Sequence, residues 1–167
     1  MEIRIWLGDL GAYNEGRLVG EWLSLPMDAK ELATKVALYS QDGLGDYFIA
    51  DWEVPAAFAS IVGETVRPVV INDWAERLSD LNDHDLARAG YLVSNGHDLS
   101  DALDSYEGVN FYPMQTLKDV AEQLVDDGLF GDIPKSLVNY IDYDAIARDM
   151  QHDGYEETAE GVFEYRG

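Results

Sequence analysis

This chain must fold while carrying 33 Asp and Glu against 11 Lys and Arg, a net charge of -22 over 167 residues. An excess of that size repels itself and opposes compaction. The acids do not form a tract. They are threaded singly between apolar residues, as on the outer faces of folded elements. Apolar residues make up 47% of the chain, enough for a core and too many for a disordered acidic tail. The sign of the charge excludes a conventional nucleic-acid binder, which needs cations to displace phosphate counterions. It equally opposes docking on anionic membranes. The expectation is therefore a protein partner, with no nucleic acid and no membrane.

The chain has no cysteine, so disulfides, thiolate metal sites and a cysteine nucleophile are excluded. No apolar leader follows Met1, and no run reaches the roughly 18 apolar residues of a membrane span. A cytoplasmic location is the expectation. The three histidines, His84, His97 and His152, fall in no ligand-spaced pair. The oxygen-rich run from Asp80 to Asp85 lacks the sixth-position glycine and twelfth-position glutamate of a calcium loop. No nucleophile elbow or phosphate loop is present. These readings give no enzyme, no cofactor and no metal.

Composition divides the chain into three. Residues 1–60 carry ten acids and four bases, residues 61–103 eight and three, and residues 104–167 fifteen and four. Ile3, Ile5 and Leu7 alternate with polar or aromatic neighbours, which predicts a half-buried strand. Further strands are expected over residues 18–25 and 47–52. Between them, Asp28 caps a helix carrying Leu32 and Val36, closed at Asp42, Gly43 and Gly45. Gly8, Asp9, Leu10 and Gly11 read as a turn. The middle reads as three helices. Pro68 opens the first, through Leu81. Asp83 caps the second, and Asp98 or Ser100 starts the third. In the last part an extended piece at residues 109–112 precedes a helix with Thr116 as N-cap, Asp119 three residues on, and Gly128 as its stop. Pro134 starts a short helix around Leu137 and Val138. Asp142 or Asp144 caps another, with Arg148 placed to pair with Asp144. A final strand covers residues 162–165. The length allows one domain or two or three small ones; the first part reads as a small α+β domain and the middle as a small helical bundle.

Charge density sharpens the functional reading. A compact chain of this size exposes about 8,000 Å², or roughly one net charge per 370 Å². Duplex DNA carries on the order of one charge per 100 Å². An evenly charged globule is too dilute to imitate DNA, so mimicry requires an elongated shape or acids gathered on one face. Asp119, Glu122 and Asp126, at helical spacing, lie about 5–6 Å apart and make such a face. Asp127 adjoins them. Asp73, Glu76, Asp80 and Asp83 are the second candidate set.

Several blocks resemble the ArdA antirestriction family. Tyr13-Asn14-Glu15-Gly16 with Leu18-Val19-Gly20-Glu21-Trp22 is similar to that family's N-terminal signature. Tyr47-Phe48-Ile49-Ala50-Asp51-Trp52-Glu53 is similar to its next block. Gly131-Asp132-Ile133-Pro134, Leu137 and Asn139-Tyr140-Ile141-Asp142-Tyr143-Asp144-Ala145-Ile146-Ala147-Arg148-Asp149 resemble its antirestriction motif. The resemblance implies an α+β fold of three small domains in a row, over residues 1–60 (α+β), 61–105 (a helical bundle) and 106–167 (α+β, carrying the motif), in an elongated, curved homodimer that imitates bent B-form DNA. It implies occupation of the DNA-binding groove of type I restriction-modification enzymes, on behalf of conjugative plasmids and transposons. Within the motif, Ile133, Leu137, Tyr140, Ile141 and Ile146 read as core or dimer residues, with direct target contact as the alternative. Phe130 is a candidate dimer contact.

Two other readings stand beside this one: an acidic inhibitor or adaptor of another basic DNA-binding protein, and a halophilic protein without mimicry. The mimic reading expects a chain that stays folded in dilute buffer, as circular dichroism would show. Unfolding below molar salt would favour the halophilic reading.

Overall fold

Residues 2–40 and 46–167 are described by the computed structural model. The expected helix stop at Asp42, Gly43 and Gly45 lies outside them. The fold mixes helix and sheet, and the chain divides into two compact units, Met1–Asp104 and Ser105–Gly167.

In the first unit, strand β1 (Ile3–Asp9) is central in a three-stranded antiparallel sheet, between β2 (Gly20–Leu25) and β3 (Tyr47–Glu53). Alternation decides its two faces. Ile3, Ile5, Leu7, Leu23, Leu25 and Ile49 are buried on one. The other bears Arg4, Trp6 and Gly8, opposite Ser24, Trp22 and Gly20 of β2 and Glu53, Asp51 and Phe48 of β3. Trp6 meets Phe48 edge to face at 6.1 Å, and Tyr13 lies 5.0 Å from Phe48. A Cβ at Gly20 would stand 2.5 Å from the Trp6 indole. That position must therefore be glycine for the indole to lie across the sheet.

The stretch expected as a turn after β1 is a short helix, α1 (Leu10–Asn14), because Asp9 accepts the Ala12 amide at 2.8 Å. Helix α2 (Ala29–Leu38) starts at Asp28, which accepts from Lys30 and Glu31. It is tied to β2 by the Lys35–Glu21 pair at 2.6 Å. That ammonium holds the Glu21 carboxyl below its ordinary range.

Three helices follow a 3-10 turn at Ala56–Ile61: α3 (Pro68–Ser79), α4 (Asp83–Ser94) and α5 (Leu99–Ser105). Pro68 occupies the first turn of α3, where its missing N–H costs nothing. The cap of α4 is Asn82, which accepts from His84 and Asp85. Asp83, expected as the cap, is in the first turn. Asp98 accepts from Asp101 at the start of α5. The division expected at residue 60 is finer than these compact units, since α3 packs on α2 and β2. The join is specific. Asn72 of α3 is buried and bonds both the N–H and the C=O of Met27, at 2.8 and 3.1 Å.

The second unit is another three-stranded antiparallel sheet, in the order β4 (Asn110–Pro113), β6 (Gly161–Glu164), β5 (Tyr155–Thr158). Helices α6 (Leu117–Asp126) and α7 (Tyr143–Met150) pack together and close a core of Leu117, Val120, Ala121, Met150, Tyr155 and Val162. Strand β5 was not anticipated. Its hairpin depends on Gly161, whose φ of +141° and approach to Tyr112 O leave no room for a Cβ. Buried Glu164 is met by Asn110 at 2.9 Å and Arg166 at 2.8 Å. Burial, then the charge of Glu164, pushes the Tyr155 phenol up to about 12.

Replacing Asn72 with Ala strands two backbone groups that it now satisfies. The expected cost is about 2 kcal/mol in urea unfolding. An unchanged midpoint would show that this join contributes nothing.

Candidate acidic surface and its supporting motif

On α6 the inward positions are Leu117, Val120, Ala121, Leu124 and Val125, so the outward face falls to Asp119, Glu122 and Asp126, all exposed. Asp127 is the exposed C-cap. Gly128 follows with φ +79°, the left-handed stop expected there. These four acids belong to one element, but they differ in state. Asp119 completes a capping box: it accepts from the Thr116 N–H at 2.9 Å and hydroxyl at 2.7 Å, while Thr116 accepts the Asp119 N–H. Those bonds, the backbone one first, hold its carboxyl below the ordinary range. Among the described residues, Glu122, Asp126 and Asp127 make no side-chain hydrogen bond.

The second set is split. Asp73 and Glu76 on α3 and Asp80 at its C-cap share an exposed face. Asp83 belongs to α4 and stands apart from that stripe.

The motif residues do not form one surface. Gly131, with φ +83°, Asp132 and Pro134 lie in an exposed loop. The helix expected after Pro134 is absent. A turn is closed by the Leu137 N–H on Pro134 O at 2.8 Å, and a 3-10 turn follows at Val138–Tyr140 with no side-chain cap. A first helical turn fixes three residues for one bond, and the stretch before the next cap is too short to recover that. Leu137 and Tyr140, expected in the core, are 53% and 82% exposed. Ile133, Ile141, Tyr143 and Ile146 are half-buried.

Beyond the loop the motif becomes a helix joint. Asp142 caps α7 through the Ala145 N–H at 3.0 Å. Asp144 pairs with Lys118 of α6 at 2.9 Å rather than with Arg148. Lys118 reaches it because α6 and α7 pack side by side. That bond raises the Lys118 ammonium above its usual range. Arg148 makes no ion pair among the described residues, and Asp149 is exposed on α7. Between the helices lies an open cleft of about 580 Å³, lined by Lys118, Asp142, Asp144, Arg148 and Glu157 among others. Glu157 of β5 accepts the Leu117 N–H at 2.7 Å and so caps α6 from the sheet. Sequence reasoning missed this residue, since no local pattern links positions 40 apart.

The carboxylates of the cleft are therefore spent on helix starts and on one lysine, and Asp119 on its own cap, while Glu122, Asp126, Asp127, Asp73, Glu76 and Asp80 face water. Such a division suits a binding surface on a rigid support. The chain matches the family model for antirestriction protein (ArdA) over residues 5–164. It belongs to that family, whose proteins are inhibitors rather than enzymes. No curated protein gave a match to this chain.

Thr116→Ala should destabilise the chain by about 1 kcal/mol, through loss of the cap. Because the Asp119 carboxyl is lowered in the folded state, its contribution is complete above the ordinary unfolded value of about 3.9 and fades as pH falls through the folded value. The stability gap between the natural chain and Asp119→Ala should hold steady from neutral pH to about 5 and narrow below 4. A gap that widened in acid would contradict this.

Proposed function

We propose that this protein blocks restriction by imitating bent B-form DNA and occupying the DNA-binding groove of type I restriction-modification enzymes, protecting incoming mobile DNA. Its family membership supports antirestriction and an encounter with a restriction-modification enzyme. The observation that carries the mimicry is the pair of solvated stripes: Glu122, Asp126 and Asp127 after Asp119, and Asp73, Glu76 and Asp80. Such carboxylates, about 5–6 Å apart, accept charge-assisted hydrogen bonds from the lysines and arginines that otherwise hold phosphates. Complementary fields speed the encounter. Asp83 adds charge beside the second stripe without being part of it.

The active form in this proposal is an elongated homodimer of three-domain chains in the cytoplasm. Leu129, Phe130, Leu137, Val138 and Tyr140, each more than 40% exposed, supply apolar surface for the second copy. The motif from Gly131 to Asp149 then acts at one remove: its helix joint aims the outward face of α6, and its loop meets the partner copy.

The test is competition. Labelled duplex bearing the recognition site is bound to a type I enzyme, and this protein is titrated in at two salt concentrations. Displacement that weakens steeply with added salt is expected. Glu122→Gln, Asp126→Asn, Asp73→Asn and Glu76→Gln should each change the half-inhibitory concentration by less than about fivefold, as exposed ion pairs do. Loss of inhibition from one such change in a folded chain would replace the distributed mimic by a hot-spot interface. No displacement at low salt would refute the proposal.

A further inference from the structure

We propose that the outer face of the first sheet is a docking surface for arginine side chains of a basic protein, separate from the acidic helix stripes. The face already holds one guanidinium. Arg4 lies 5.0 Å over the Trp22 ring and bonds Glu53 at 2.6 Å, so indole and carboxylate grip it together. One rung along the ladder the same pairing recurs. Asp51 stands opposite Trp6, whose indole abuts Phe48, and Tyr13 leans on Phe48 in turn. Here the carboxylate accepts the Trp52 N–H at 2.8 Å, and among the described residues no cation of this chain pairs with it. Trp22 is 36% and Tyr13 55% exposed.

Charge chooses the occupant. Aromatic faces also stack nucleobases, but single-strand binders set them in positively charged grooves. Here the rim is Asp51 and Glu53, and the one arginine is already paired. A phosphate backbone is repelled and a cation is drawn in. Between the two cations, guanidinium fits better, because it is planar, weakly hydrated and able to stack while its N–H groups reach a carboxylate. The glycines at positions 8 and 20 leave the room over the ladder that the Trp6 ring occupies.

This inference rests on the antirestriction proposal only for the identity of the partner, so two arms test it on the full chain. In the first, hexa-arginine and hexa-lysine peptides are titrated while the indole N–H signals are followed by NMR. Hexa-arginine should bind roughly two- to fivefold more tightly, with shifts at Trp6 and Trp22. Asp51→Asn and Trp6→Ala should each abolish the preference, and the first keeps the sheet intact if the second does not. Equal affinities, shifts confined to other indoles, or a single-stranded oligonucleotide moving the same signals would overturn the proposal. In the second arm, the same two variants enter the competition with the type I enzyme. Both should be weaker inhibitors: the indole variant with its salt slope unchanged, since stacking is less screened than charge pairing, and Asp51→Asn with a shallower slope, since it loses one charge pair. If the natural chain fails to displace DNA while the arginine preference persists, the mimicry fails and this surface stands. If it displaces DNA and both variants do so equally well, this surface falls.

Discussion

Every helix leaves its first amides without a partner, and this chain meets that need mostly with carboxylates. Asp9 serves α1, Asp28 serves α2, Asp98 serves α5, Asp142 serves α7, and α6 receives both Asp119 and Glu157. Asn82 serves α4, with Asp83 and Asp85 in the first turn. Each carboxylate so placed is stabilised by N–H donors and by the positive end of the helix. Negative charge that would only repel is turned into structure without a cation. With 11 Lys and Arg to share among 33 acids, ion pairing alone would leave most acids unmatched.

Helix α3 departs from this pattern. It opens at Arg67 and Pro68, with no acid in its first turn and no side-chain cap. Proline suits that place because its absent N–H needs no acceptor. The helix is secured instead by Asn72, through a neutral hydrogen-bonded contact to Met27. Its acids are thereby left to the outward side, at Asp73, Glu76 and Asp80.

Local rules made a good part of this legible. The alternation of β1, Pro68 at the start of α3, the Thr116 box and the Asp142 cap all rest on residues within four positions of each other, and the structure has them. What sequence could not supply was long-range. Glu157 caps a helix 40 residues away, Asp144 finds Lys118 across 26, and Arg4 meets Glu53 across 49. The motif departs from its expected packing for a related reason. Leu137 and Tyr140 are apolar enough for a core, but the glycine turns and Pro134 keep them off the packed face. The outward stripes were visible as spacing. Which of their oxygens were already engaged was not, since Asp119 looks like Glu122 until its bonds to Thr116 are seen.

The caps carry an evolutionary consequence. Asn and Ser start a helix about as well as Asp does, so positions 28 and 142 can lose a charge and keep their helices. An acid on the outer side of α6 can shift by one turn and still face water. Single substitutions can therefore redraw the pattern of negative charge while the backbone stays where it is. A lineage pursuing a changing adversary has many short, viable steps open to it, because the features that hold this fold together do not dictate where most of its charge must lie.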